Sequence, residues 1–408
     1  MQIAYDIVII GAGPAGLGFA ASMLDTNVNV LILERSDLED ISMPKVDGRE
    51  VALTHLSLKI LKKLGVWDLV DQTTVSPLRE AKVFDGDSPS LLNFKSDKAN
   101  IDALGYLVPN HKIRQALYNR VKDAKNITIQ TNTLADDVIQ LENSAQVVLV
   151  GGECIETKLV IAADSRFSSI RRKVGIPTLM KDFSKVMIIT KMMHEKSHEN
   201  IALECFDYGR TLALLPMIGD ASSVVLTVKT DESKKILEMN EAEFNEMITS
   251  SFKASLGEMT QSGKRHSYPL VATHAQTFIA KRFALIGDAA VGMHPVTAHG
   301  YNLGLRGQDI LATLIKEALE HGQDVGSSSL LKLYEKKHIN LTRLMFFGTN
   351  GIVALFTNDA PVIKQVRKMV LKFAENFPPI KYLISNQLTE AKSNKFAPFE
   401  KILKKLPF

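Results

Sequence analysis

The chain has 408 residues, 45% of them apolar and 23% charged, with a formal net charge of +4 and two cysteines. That length predicts two or three folding units, and the composition excludes a disordered chain and a disulfide-stapled scaffold. The charge is uneven: residues 361–408 carry ten Lys/Arg against Glu375, Glu390 and Glu400, a local +7, so the first 360 residues sum to −3. Nothing in a total of +4 calls for nucleic acid as a partner.

The opening segment, MQIAYDIVII, lacks the basic residues that begin a secretory signal, so none is expected. Its apolar run 5–10 predicts a strand buried on both faces. The stretch GAGPAGLGFAASML (11–24) predicts a helix with small residues in its first turn, and NVNVLILER (27–35) predicts a second buried strand ending at Glu34. Strand, glycine turn, helix and strand make a βαβ unit. Residues 51–71 repeat apolar positions at helical spacing and predict one amphipathic helix. Short strand-like pieces follow over 80–108, with the turn signal DGDSP, and helical periodicity returns over 111–124.

Residues 145–164 predict two strands hinged at Gly151-Gly152, where positive φ is needed. The segment 185–270 is strand-rich (KVMIITKMM, TLALLPM, SSVVLTVK), with one helical insert over 231–256. FALIGDAA (283–290) predicts a further buried strand running into a glycine turn. From Asn302 the chain reads as helical almost to its end. Its most apolar part, LMFFGTNGIVALF (344–356), is too short to span a bilayer and is interrupted by Gly348, Thr349, Asn350 and Gly351. Cys154 and Cys205 lie in strand-like runs without metal spacing. They read as buried packing residues with free thiols, in a cytoplasmic protein or one peripheral to the inner membrane surface.

The sharpest motif is Gly11-x-Gly13-x-x-Gly16. It follows a strand, opens a helix and has Glu34 at the end of the next strand. Gly11 permits the tight turn, Gly13 lets a pyrophosphate approach the backbone, and Gly16 lets helix and strand pack closely. The helix N-terminus faces the phosphates and Glu34 the ribose hydroxyls. A mere glycine-rich helix start with a solvated acid after it would not align all four elements. No second glycine fingerprint follows, since Gly151-Gly152 leads into a strand, and no redox cysteine pair exists. A disulfide reductase is therefore excluded, no CxxC spacing is present, and no metal is expected.

Three more strings complete the pattern: DGREVAL (47–53) with Arg49, LVIAADSRFSSIRR (159–172) with Asp164, Arg166, Ser168 and Arg171, and ALIGDAAVGMHPVTAHGYNLGL (284–305). In this order and spacing they resemble the single-component flavoprotein aromatic hydroxylases, and within them the ubiquinone-biosynthesis hydroxylases. RTLALLPM (210–217), YPL (268–270) and LKLYEKKH (331–338) echo the same group. The resemblance spans roughly residues 4–385.

The resemblance implies an α/β fold: a Rossmann-like FAD-binding domain (1–75, 100–175, 276–345), a discontinuous β-sheet substrate domain (76–99, 176–275), and basic, amphipathic C-terminal helices (346–408). It implies FAD as cofactor, NAD(P)H as reductant, O2 as co-substrate, and a polyprenylated phenol as the lipophilic substrate. The implied cofactor contacts are Gly11, Gly13, Pro14, Ala15, Gly16, Glu34, Arg35, Arg49, Asn110, Asp164, Gly287, Asp288, Pro295, Gly300, Tyr301, Asn302 and Leu303, with Arg114 as a second candidate beside Asn110. No catalytic side chain is implied, because the flavin carries the oxygen chemistry.

Two departures stand out. Ser165 replaces the usual glycine after Asp164, and Ala298-His299-Gly300 replaces Gly-Gln-Gly. His299 either tunes the flavin, carries a proton, or is a loop histidine without a chemical role. His294 matches the ubiquinone group as shape more than as acid or base. Alternative readings are a hydroxylase of another aromatic, a prenyl reductase, or a non-catalytic flavin-binding assembly subunit. The basic, apolar-interleaved tail of 361–408 suits an anionic membrane surface or a quinone-biosynthesis partner protein, or is a solvated helix packed on the core.

Overall fold

The computed structural model describes residues 5–85, 92–96, 101–207, 210–295, 299–357 and 389–390. The first sheet is built on β1 (Tyr5–Ile10), flanked in parallel by β2 (Val30–Leu33) and β11 (Cys154–Ala162), with Ile7 in register with Val30 and Leu159. It continues to β8 (Ile127–Gln130) on one side and to β19 (Phe283–Leu285) and β18 (Ile279–Ala280) on the other. Ile7, Ile9, Val30, Ile32, Val160 and Ile161 are fully buried, as parallel strands covered on both faces require. β9 (Ala135–Gln140) and β10 (Ala145–Leu149) extend β11 as antiparallel strands. The β10–β11 turn uses Gly151 and Gly152 at φ +112° and +91°.

The second sheet runs β20 (Val291–Gly292), β17 (His266–Ala275), β12 (Thr178–His194), β15 (Ala221–Lys229), β14 (Arg210–Pro216), β13 (Ile201–Asp207), β5 (Glu80–Asp85), β6 (Leu92–Lys95), with β16 (Met259–Gln261) paired to β12. β12 begins at Thr178, ahead of the expected 185, because Thr178–Asp182 pair with Val271–Ala275 before a register shift. The single expected helical insert is two helices, Thr230–Glu238 and Glu241–Ser251. Asn240 separates them, its side chain accepting the Glu243 N–H and so starting a new helix. This pair buries Ile236, Phe244 and Ile248 against Ile188, Leu212, Leu226 and their neighbours on the rear face of the sheet.

A small third sheet corrects the helix expected over 51–71. Glu50–Leu53 is strand β3, paired with β7 (Gly105–Pro109), which also pairs with β4 (Ser76–Leu78). The helix starts only at His55 and ends at Lys63, with Thr54 capping it through the Ser57 N–H. Val51 and Leu53 fit a period of two as well as a helix, and pairing with β7 decides between them. Cys154 is also exposed and Cys205 half-buried, contrary to the expected burial: Cys154 opens β11 beside the Gly151-Gly152 turn, and Cys205 packs at the margin of the core under the two inserted helices.

Helix α1 (Pro14–Ser22) packs on the first sheet. We number the later helices used below as α2 (Asn110–Val121), α3 (Gly300–Glu320) and α4 (Ser328–Thr357). α4 runs unbroken through Gly348 and Gly351, so the segment read as interrupted is one helix. By length and composition alone (mean hydropathy 1.3) it could cross a membrane. Here its inner side is docked: Tyr334 donates to the Leu285 carbonyl, Arg343 to the Gln276 carbonyl, and Thr342 meets His274 at 3.0 Å. The lysine-rich tail of 361–408 lies outside the described residues apart from Thr389 and Glu390.

Candidate functional site

The glycine turn sits where β1 ends. Gly11 has φ +109°, and a Cβ there would lie 2.7 Å from the Ala163 carbonyl oxygen at the end of β11. A Cβ on Gly16 would overlap the Gly11 carbonyl oxygen, so only glycine lets α1 start this close to the strand. Gly13 differs: its backbone is extended (φ −72°), and a Cβ there would meet nothing within 4 Å. It borders open space in front of the first turn of α1, whose N–H groups have no partner within the helix. Pro14 fills the first helical position, where a missing N–H costs nothing. Ala15 faces Gly287, where a Cβ would stand 2.5 Å from the Ala15 methyl.

Glu34 is held by this turn. One carboxylate oxygen accepts the Ala12 N–H at 2.7 Å and the other the Ser36 N–H at 2.9 Å. Each oxygen keeps a lone pair for a further donor. Arg35 beside it is exposed.

Asp164, just past β11, presents a buried Oδ1 without a hydrogen-bond partner, and burial raises its carboxyl while Ser168 opposes the shift. The same motif grips the Gly287–Ala289 turn. Arg166 places Nε and Nη2 on Asp288 Oδ2 at 3.2 and 2.9 Å and donates Nη1 to the Val271 carbonyl. Arg171, 2% exposed, donates to the Ala289 and Arg166 carbonyls at 2.6 and 3.0 Å. Ser165, in place of glycine, accepts the Phe167 N–H through its hydroxyl and so still forms a tight turn.

The opposite wall comes from Asp47–Leu53, α2 and α3. Asp47 gathers Arg49 Nη2 at 2.6 Å, Arg49 Nε at 3.0 Å and Asn110 Nδ2 at 2.7 Å. Burial alone would raise its carboxyl, but Arg49 and Asn110 hold it below the usual range. Arg49 also lies 5.4 Å above the Tyr268 ring, and the Tyr268 hydroxyl donates to the Asp47 carbonyl. Arg114 instead reaches the Asp40 carbonyl. Next along β3, Glu50 is pushed up to about 8, by burial first and then by Asp47, with Lys191 opposing.

At the start of α3, Asn302 accepts the Thr54 N–H at 3.1 Å and donates to the Ala52 carbonyl at 2.8 Å, tying the helix N-terminus to β3. Glu390 reaches the same corner, accepting from Thr54 Oγ1 and pairing with Arg306. A Cβ on Gly300 would have only Met293 within 4 Å, and Leu303 is buried. Tyr301 keeps a buried hydroxyl without a partner, its ionisation raised by burial. Pro295 is exposed, and Ala298 lies outside the described residues. His299, buried, occupies the cap position of α3. His294 stacks edge-on to Phe183 at 4.6 Å, and burial lowers it to about 4, which keeps it neutral and fits a role in shape.

The structure thus brings Gly11–Gly16, Glu34, Asp164, Gly287 and Asp288 to one edge of the first sheet. Arg49, Asn110 and Asn302 stand by β3. Asn110 is engaged by Asp47 and does not reach the glycine turn. Asp47, Arg166 and Arg171 are organisers to which the sequence assigned no role. All three lie inside the quoted motifs, but only their hydrogen bonds across the fold reveal what they hold.

An adenine dinucleotide fits this cradle: the open space over Gly13, the unpaired helix N–H groups, the spare lone pairs of Glu34 and the unpartnered Asp164 oxygen are what its phosphates and riboses require. Comparison with known proteins agrees. The FAD binding domain family model matches residues 4–345. The ubiquinone hydroxylase UbiM of Neisseria meningitidis is 45% identical over 95% of this chain and 85% of its own length. The ubiquinone hydroxylase UbiL of Rhodospirillum rubrum is 31% identical over 93% and 88%. The crystal structure of p-nitrophenol 4-monooxygenase PnpA from Pseudomonas putida superposes with a TM-score of 0.76 at 17% identity, covering 95% of this chain and 98% of that one, and so shares the fold. The chain belongs to the FAD binding domain family and, within it, to the ubiquinone hydroxylases.

Proposed function

We propose that this protein is a FAD-dependent monooxygenase that hydroxylates the ring of a polyprenylated phenol in ubiquinone biosynthesis. The observation that carries the reading is the 45% identity to a ubiquinone hydroxylase over nearly the whole chain, supported by the open space that Gly13 borders before α1. FAD supplies the redox chemistry, taking electrons from NAD(P)H and activating O2.

The chain's own residues bind, orient and exclude water. In this reading Gly11, Gly13 and Gly16, with Pro14 and Ala15, receive the pyrophosphate at the N-terminus of α1, and Glu34 with Arg35 takes the adenosine side. Asp164 and Asp288, braced by Arg166 and Arg171, hold the ribityl and phosphate side. Pro295, Gly300, Tyr301, Asn302 and Leu303 set the α3 N-terminus against the flavin ring, where the helix end stabilises negative charge. Arg49 touches the cofactor and the path of the nicotinamide, and Asn110 contacts FAD. The front face of the second sheet, on β5, β6, β12, β13, β14, β15 and β17, forms the substrate side.

A polyprenylated substrate partitions into lipid. The +7 segment of 361–408, which follows α4 in the chain, is the part suited to an anionic membrane surface. The test is direct: record the flavin spectrum of the purified chain, then follow NADH and NADPH oxidation with and without a farnesylated phenol and weigh the product. No flavin reduction by either nicotinamide overturns the monooxygenase reading. Reduction without ring hydroxylation overturns the substrate class.

A further inference from the structure

The front face of the second sheet carries two apolar clusters. One gathers Met187, Ile189 and Leu270, with Val225 and Tyr268 against them. The other gathers Leu92, Phe94, Phe206 and Phe356, with Val83 against them. Between them register sets Ile189, Val225, Ala213, Glu204 and Val83 in one row across β12, β15, β14, β13 and β5. Leu203 and Cys205, the neighbours of Glu204 on β13, pack into the rear core under the two inserted helices. Strand alternation therefore turns Glu204 to the front.

Glu204 is half-buried, as are Ala213, Leu215 and Val225 beside it. Burial pushes its carboxyl up to about 8. Among the described residues, no charged side chain contributes to its titration. Lys82 and Lys95 pair with Glu80 on β5 and β6, and Arg210 of β14 pairs with Glu232. Asp85 closes β5 in register with Phe206. Lys191, exposed, stands on β12 in register with Ser223, with Glu50 and Asp47 on the wall beyond it.

We propose that Glu204 is a catalytic base, accepting the proton of the substrate's phenol hydroxyl on the front face of the sheet between the two apolar clusters. This rests on the phenol-hydroxylase reading above. The phenol O–H bond breaks, the proton goes to a Glu204 carboxylate oxygen, and the electron pair stays on the phenolate oxygen, enriching the ring for oxygen transfer. No oxidant is consumed in this step, and the proton returns when the hydroxylated ring leaves as a phenol. The match is favourable: a phenol near pKa ~10 lies about 2 units from this carboxyl, against about 6 from an ordinary glutamate. The apolar side chains on either side suit an isoprenoid tail.

The test uses the full-length, FAD-loaded protein with a farnesylated phenol, in wild type, Glu204→Gln and Glu204→Asp, each checked for FAD content and melting temperature. Wild-type hydroxylation should rise with pH around a midpoint near 8. Glu204→Gln should lower it by roughly 10²–10⁴-fold and move the limb up toward the phenol's own ionisation, with partial recovery in Glu204→Asp. The methyl ether of the same probe, which has no proton to give, should not be hydroxylated by wild type. A Glu204→Gln protein with the wild-type rate and pH limb overturns the proposal alone, as does equal turnover of phenol and methyl ether. A wild type that hydroxylates neither probe overturns the substrate reading and this proposal with it.

Discussion

Gly13 and Gly16 occupy the same motif, yet the structure assigns them opposite vulnerabilities. Gly16→Ala places a methyl group on the Gly11 carbonyl oxygen, with Ile9 Cγ2 at 3.2 Å and no flexible side chain able to yield. Backbone must move, which in a packed core costs about 1–3 kcal/mol or more. Gly13→Ala adds its methyl to open space at φ −72°, a conformation alanine adopts freely. By restricting the unfolded chain it should stabilise the cofactor-free protein by about 0.4–1 kcal/mol. The same methyl lies where the pyrophosphate must approach, so FAD affinity should fall at least tenfold, about 1.4 kcal/mol. Wild type at a FAD concentration about 100 times its Kd gains about 2.7 kcal/mol from binding, and Gly13→Ala should lose half or more of that gain.

The assay is urea unfolding of each protein with and without FAD, beside titration of FAD by flavin fluorescence. Gly16→Ala should be destabilised in both conditions and Gly13→Ala only in the FAD-dependent increment. If Gly13→Ala binds FAD as tightly as wild type, the space before α1 does not hold the pyrophosphate. If Gly16→Ala unfolds at the wild-type midpoint, the close strand–helix contact is not a constraint.

Asn302→Leu removes both partners of a bridge, leaving the Thr54 N–H and the Ala52 carbonyl unsatisfied, and should cost about 2–5 kcal/mol in urea unfolding. Asn302→Asp should recover part of this by keeping the acceptor for Thr54. Glu50, raised from 4.5 to about 8, binds a proton in the folded state where the unfolded chain has lost it. Its contribution to stability therefore declines as pH rises from about 4.5 to about 8. Glu50→Gln should raise the melting temperature at pH 9 relative to wild type, with the difference shrinking toward pH 4; an equal difference at both ends would refute the assigned shift.

Much of the fold is legible in the sequence for local reasons. The β1–α1–β2 unit, the hairpin at Gly151-Gly152 and the strand into Gly287 are encoded in short patterns: β-branched runs, glycines at positive φ and a proline at a helix start. Those signals act within a few residues and need no distant partner. The motifs likewise point to the nucleotide-binding edge without any knowledge of the tertiary structure. What the sequence could not disclose depends on residues far apart in the chain. Val51 and Leu53 form a strand because β7, which follows much later in the chain, pairs with them. Asp47, Arg166 and Arg171 gain their roles from Asn110, Asp288 and Ala289. Glu204, one acid among many in the sequence, becomes singular only when five strands line up in register and two apolar clusters close on either side. Patterns of period and turn set local conformation, whereas burial and the identity of a neighbour are properties of the assembled core. The sequence by itself determined the family and the flavin cradle; the tertiary structure decided which carboxyl stands between the two apolar clusters.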